Sequence, residues 1–475
     1  MKSINYGNRT RFNILIRVGV GALGAILLWT YPNWNALCSS DDPACHVSLD
    51  TIPRRPLETT VLAHAPGFTV LEHAYWRNHT WYFVSSKKWA FPEIRHVVTN
   101  APWYDEETRW DDSVARVVTP KEAINLDLDV RNVEVVQGSS IFFNDKVYLG
   151  HFYHLVGEMF MGAWAAYTSI LQDPVLNSDS QMQTPWIRTR QATVDRLPEV
   201  RRLIFGHAPP DLVYDHAGMN SFFFNGVFPA AEWEFEEDWN ARADSHRVYR
   251  FDRVTIADRR SGHMGVGFGK PMDPAFDSLE RPMDWISSLK NRILRNYAGK
   301  ISPNLPDKPV VTYLSRQTAA HRHLTDKAHK DLIASLKALE KEGVAEVRIE
   351  EFTDADPKDE QVAKLSRTAI FVSLHGNGLT NLIWMTPDVH GRSTVFEIQQ
   401  KGMFMDDYAV LTEALGMEHW IIGGRAQGID FCQRRTCGIR GIDDGIRVGK
   451  KEYDLDIPEL VRRIRQRLLA PSQSA

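Results

Sequence analysis

The alternation of short β-branched runs with amphipathic stretches between Val310 and Ile422 constrains this chain more than any other feature. Val310–Leu314, Ala345–Ile349, Ala369–Leu374, Thr394–Ile398 and Glu418–Ile422 read as strands. Between the first two, Thr325 caps a helix with Ala328, Leu332, Ile333, Leu336 and Leu339 at helical spacing, and Gly343 ends it. Further helices are predicted at Asp359–Leu365 and Met405–Leu415. Such alternation specifies a parallel, doubly wound sheet whose ligands bind at the carboxyl ends of its strands. Within it, the strand from Ala369 breaks at His375-Gly376-Asn377-Gly378 and resumes as a helix from Thr380 to Met385, stopped by Pro387. Glycines, free N–H groups and a helix start suit phosphate, although an ordinary strand-to-helix turn looks the same in isolation.

The preceding half is less regular. Phe68–Leu71, Trp81–Val84, Arg95–Val98, Val133–Val136, Ser140–Phe143, Val147–Leu149 and Arg253–Ala257 read as strands, the last leading into Asp258-Arg259-Arg260. A long helix is predicted from His151 to about Leu171, a short one at Pro198–Phe205, and another at Trp285–Ala298. The acidic run Ala231–Asn240 reads as a surface loop, and Pro303–Pro309 as a linker. The predicted organisation is a cytosolic tail at 1–11, a membrane anchor at 12–31, a stem at 32–66, an α/β domain at 67–300, a nucleotide-binding domain at 310–450, and a C-terminal helix and tail at 451–475.

Lys2, Arg9, Arg11 and Arg17 precede the uncharged run Val18–Tyr31, and Asp41, Asp42 and Asp50 follow it. Basic before and acidic after predicts a single-pass type II protein with its body in the lumen of the Golgi or endoplasmic reticulum. A cleaved signal peptide is the competing reading, and the absence of a small-x-small cleavage site favours the anchor. Gly19–Gly24 matches a dinucleotide fingerprint but follows no strand, so it is set aside. Cys38 and Cys45, and Cys432 and Cys437, fall into close pairs that read as two disulfides in a luminal chain, with cross-pairing left open. Asn78-His79-Thr80 is a glycosylation sequon. A net charge of −4 gives no footprint for a nucleic-acid partner.

Two clusters carry chemistry. Helical spacing puts His151, His154 and Glu158 on one face of their helix. At the end of Val310–Leu314, the loop Ser315–His323 holds two Arg, two His and two hydroxyls. Placed beside the glycine loop, it makes a diphosphate site, because Arg forks match phosphate oxygens. Glu397, at the end of the next strand, suits ribose hydroxyls.

The runs HFYHLVGE (His151–Glu158), SRQTAAHRHL (Ser315–Leu324), HGNGLTN (His375–Asn381) and VFEI (Val395–Ile398) occur in one order that resembles glycosyltransferase family 61, most nearly its fungal members. That family includes protein O-linked GlcNAc-transferases of the endoplasmic reticulum and plant xylan xylosyl- and arabinosyltransferases. The resemblance implies a GT-B fold, two Rossmann-like domains facing across a cleft, and inverting, metal-independent transfer from a UDP-sugar, with no metal or other cofactor. It implies that Ser315, Arg316, Arg322, His375, Gly376, Asn377, Gly378, Leu379 and Glu397 hold the donor. Asn377 stands where many members carry a small residue.

Inversion needs one base for the acceptor hydroxyl and positive charge for the leaving diphosphate. Glu158 is the expected base, with His154 orienting it or acting as the base itself, and His151 completing an acceptor-side cluster. The expected partners are a UDP-sugar, a glycan or glycoprotein acceptor, and a membrane through the N-terminal helix. The triplets Asp127–Asp129 and Asp454–Asp456 follow no site strand and are not read as metal ligands. A sugar-nucleotide epimerase or hydrolase of similar fold, or a non-catalytic sugar-nucleotide-binding protein, are the competing functions.

Overall fold

A computed structural model describes residues 56–103, 106–128, 133–172, 194–265, 270–297, 308–319, 322–385, 391–399, 405–423, 431–434 and 452–469. Two main sheets dominate. The first has eight strands: β1 (Thr60–Ala65), β2 (Phe68–Arg77), β3 (Thr80–Val84), β4 (Ala115–Val118), β5 (Val133–Asn144), β6 (Val200–Ile204), β7 (Glu232–Glu234) and β8 (Val248–Asp258). Its order is β4-β3-β2-β8-β5-β6-β7, with β1 on β2. From β8 to β7 every pairing is parallel, whereas β2 runs antiparallel to β1, β3 and β8.

In the second half come β9 (Val310–Leu314), β10 (His323–Leu324), β11 (Glu346–Glu350), β12 (Thr368–Leu374), β13 (Thr394–Ile398), β14 (Glu418–Ile422), β15 (Phe431–Cys432) and β16 (Glu452–Tyr453). The second sheet runs β11-β9-β12-β13-β14-β15, parallel except for its last pair, while β10 and β16 form a small parallel pair of their own. This is the expected doubly wound arrangement. Strand order reverses between β9 and β12, and a crevice for ligands forms outside the carboxyl ends of strands at such a switch point.

The His151 helix joins the two halves. It starts as a π-helix at Tyr153–Phe160 and continues as an α-helix at Met161–Ser169, with all but His154 and Ser169 buried. A helix apolar all round belongs inside a core. Phe152, Met159 and Phe160 share one hydrophobic cluster with Phe68 and Phe143 of the first sheet and with Leu379, Trp384 and Leu411 of the second half.

Several expectations are corrected. Pro198–Phe205 is not a helix but contains β6, since Val200, Leu203 and Ile204 bury beside β5, and Arg202 is taken up by Glu232 and Glu234 of β7. Ala231–Asn240 is not a loop. It holds β7 and the start of the helix Glu236–Asp244, which buries Trp239. Arg95–Val98 is not a strand but overlaps a single turn of 3₁₀-helix at Ile94–His96, and Val147–Leu149 belongs to an irregular loop. The expected anchor at 12–31, the stem up to residue 55, Cys38, Cys45 and Cys437 lie outside the described residues, and the end of the expected stem is not a stem, because Thr60–Ala65 forms β1 paired with β2. Among the described residues, no helix is long and apolar enough to cross a membrane. Asn78 sits exposed on the two-residue turn between β2 and β3, where both turn residues have positive φ.

Candidate active site

The switch point brings the basic loop and the glycine loop together. Parallel pairing sets Ser373 of β12 opposite Leu314 of β9, so the residues that follow both strands emerge side by side. Arg316 Nη1 donates to the carbonyl of His375 at 3.1 Å. Gly376 lies directly beneath that guanidinium: a Cβ there would sit 1.7 Å from Arg316 Nη1, and its φ of +146° is open only to glycine. From Asn377 a 3₁₀-helix, not the predicted α-helix, runs to Trp384. Burial and the charge of Arg322 both lower the pKa of Arg316, as expected where two cations share a site.

Beneath the loop, His375 Nδ1 contacts Glu397 Oε1 at 2.5 Å, and His419 Nε2 of β14 lies 3.0 Å from the other carboxylate oxygen. Burial pushes the Glu397 pKa up, but the two histidines outweigh it and bring it to about 2. An ionised carboxylate only accepts, so the His375 proton sits on Nδ1.

The register of β5 on β8 builds the opposing cluster. It sets Asn144 opposite Asp258, so the next residues, Asp145 and Arg259, meet. Arg259 is buried and reaches three partners: Asp145 Oδ2 at 2.6 Å, Glu158 Oε2 at 2.5 Å and the His154 carbonyl at 3.1 Å. His154 Nδ1 lies 2.7 Å from the same Glu158 oxygen. Burial disfavours a charged Glu158, yet His154 and Arg259 prevail and hold its carboxyl well below the usual carboxylate range. Glu158 is therefore a buried acceptor, and His154, a quarter exposed at its side chain, is the member of the pair open to solvent.

The two clusters meet across the start of the π-helix. Tyr153 N–H donates to Asn377 Oδ1 at 3.1 Å, its hydroxyl donates to the Asp407 carbonyl at 2.7 Å, and its ring packs on Tyr408 at 4.6 Å. π-helical turns occur frequently at functional sites. His151 is held neutral, its pKa lowered to about 4, chiefly by burial, against the opposing charge of Glu158. A cavity of about 410 Å³ opens on the Asn377 side, lined by Phe152 and Met219 from the first half and by Ser315, Arg316, Glu351, Phe352, Asn377 and Gly378 from the second, while His151, His154, Glu158 and His375 are not among its lining residues.

The structure thus brings Ser315, Arg316, Asn377 and Gly378 to one cavity wall, with Gly376 packed against Arg316. Arg322 stands near Arg316 with a positive φ of 57°. Leu379 and Glu397 do not line the cavity: both are fully buried, Leu379 in the core and Glu397 against His375. Sequence reasoning missed Asp145, Arg259 and His419, and the pairing of Lys270 with Asp407. A signal existed for one of them, since Arg259 follows a predicted strand end.

The family model for glycosyltransferase 61 matches residues 45–391. With most of its length matched, the chain belongs to glycosyltransferase family 61 and is a glycosyltransferase. The matched region includes both loops and the π-helix, and ends just before β13, which carries Glu397. No curated protein matches the chain.

Proposed function

We propose that this glycosyltransferase transfers a sugar, xylose or GlcNAc, from its UDP conjugate to a hydroxyl of a glycan or glycoprotein, with inversion and without a metal ion. The reading rests on one observation above all, the Arg316 guanidinium set over the glycine loop at the wall of the cavity. Arg316 and Arg322 stabilise the departing diphosphate, a role that positive charge in a partly dry site fills well. Glu351, which follows β11 and lines the same cavity, takes the place at the sugar-nucleotide end first expected of Glu397. The paired sheets support a GT-B arrangement, and the exposed Asn78 sequon suits a luminal body.

His154 is the base. Its Nδ1 proton is committed to Glu158, which leaves Nε2 as the acceptor. As the acceptor oxygen attacks the anomeric carbon, its proton passes to Nε2, the carbon–phosphate-oxygen bond breaks, and the diphosphate leaves with the electron pair. Glu158 orients the ring and Arg259 holds Glu158, so Glu158 takes up the orienting role. The test is transfer from UDP-xylose and UDP-GlcNAc to tagged oligosaccharides and to Ser/Thr peptides, with product anomers read by NMR. The reading predicts inversion, undiminished by EDTA. Retention, or an absolute requirement for Mn²⁺ or Mg²⁺, overturns it.

A further inference from the structure

We propose that Tyr148 forms the floor of an acceptor subsite that takes a pyranose ring of a glycan chain beside His154. The loop between β5 and the π-helix alternates strictly in burial. Asp145, Val147 and Leu149 are buried, while Tyr148 is 40% exposed and Gly150 is exposed. Asp145 is pinned by Arg259 and the Tyr148 carbonyl accepts from His151 N–H, so the loop is held at both ends.

Two features set Tyr148 apart. Its backbone sits at φ +61°, a conformation that costs a bulky L-residue roughly 1–3 kcal/mol and persists only where surrounding structure imposes it. Its ring stacks on the His154 imidazole, with centroids 4.7 Å apart and planes inclined by 24°. A large aromatic surface is thereby held in partial contact with water, against the ring assigned as base.

Two residues before Tyr148, Lys146 reaches a second exposed aromatic ring. Trp103 is 44% exposed, and Lys146 lies 5.5 Å from its ring centroid. Lys146 also pairs with Glu106 at 3.2 Å, so two neighbouring loops bring an aromatic face, a cation and a carboxylate side by side. A pyranose presents C–H groups from its ring face and hydroxyls from its edge. Flat aromatic faces rimmed by charged donors and acceptors match that chemistry, whereas a peptide acceptor calls for a free strand edge or side-chain pockets. The imidazole covers one face of the Tyr148 ring, so a sugar stacks on the opposite face and the glycan chain passes the ring edge to reach His154.

The proposal rests on the reading of His154 as base. Its test uses the full chain and its active UDP-sugar, with tagged oligosaccharides of two to six sugars and Ser/Thr peptides as acceptor probes. Tyr148→Ala and Tyr148→Leu raise the oligosaccharide KM about tenfold, with a smaller change in kcat and an unchanged donor Kd, and Tyr148→Phe or Tyr148→Trp restores most of the loss. An unchanged acceptor KM in both Ala and Leu variants overturns the subsite, as does transfer to peptides alone. A fall confined to kcat also overturns it, because Tyr148 then acts only through His154. If the wild type transfers sugar but the variants show none of these KM effects, the subsite alone falls. If the wild type transfers nothing, the reading of His154 falls with it.

Discussion

Arg259 Nη1 donates to Glu158 Oε2 at 2.5 Å, and the same oxygen lies 2.7 Å from His154 Nδ1. One carboxylate therefore couples a buried structural cation to the quarter-exposed ring proposed as the base. Glu158→Gln should remove the ring's anchor and leave Arg259 with only Asp145 to neutralise it. The expected result is a fall in kcat of roughly 10²-fold or more. Unfolding in urea should show a loss of about 3 kcal/mol, as when one partner of a buried pair is removed. Full activity in this variant contradicts the assignment.

The glycine loop admits no side chain at Gly376. Gly376→Ala meets both an unfavourable φ and the Arg316 guanidinium, which must then leave its place over the loop. UDP affinity should drop about tenfold or more, consistent with the loss of a charge-assisted contact. Calorimetry with UDP checks this, and a parallel melt separates loss of the site from loss of the fold.

Acid should destabilise the fold in two windows. His64, His151 and His207 are each held neutral by burial, with pKa values of about 4 against an ordinary 6.5. The unfolded chain binds more protons between those values, so stability is full above pH 6.5 and falls as pH drops towards 4. Glu397 shows the same sign lower down. Its folded pKa of about 2 lies below the ordinary 4.5, and its contribution is present above 4.5 and lost as pH falls through 2. Thermal melts against pH should flatten in the upper window for His207→Gln and in the lower window for Glu397→Gln.

The second half was legible because its central strands β9, β12 and β13 are continuous, buried runs, and β13 and β14 match their predicted limits of Thr394–Ile398 and Glu418–Ile422. The first half was legible in part: β2, β3, β5 and β8 contain the predicted runs Phe68–Leu71, Trp81–Val84, Val133–Val136, Ser140–Phe143 and Arg253–Ala257, but β6 and β7 were missed. In β6, Arg201 and Arg202 interrupt the apolar pattern, and the flanking Pro198 and Gly206 imitate helix caps. In the site, the motif residues were visible but their ranks were not. Glu158 and Glu397 look like exposed reactive carboxylates in one dimension. Only the register of β5 on β8 brings Arg259 to the first, and only β14 brings His419 to the second.

Arg316→Lys should bind UDP more weakly than wild type, although charge is conserved. A lysine lacks the planar fork that reaches a phosphate while bonding the His375 carbonyl. Comparison of the two proteins across a salt series checks this, since a purely coulombic role would make them converge.

The central claim is that the basic loop and the glycine loop together bind the donor diphosphate. Calorimetric titration of UDP into wild type and Arg316→Ala tests it most directly. The account predicts binding by the wild type and a loss of about tenfold to a hundredfold in Arg316→Ala, with an unaltered melting temperature in the absence of ligand. Equal UDP affinity in the two proteins would contradict it.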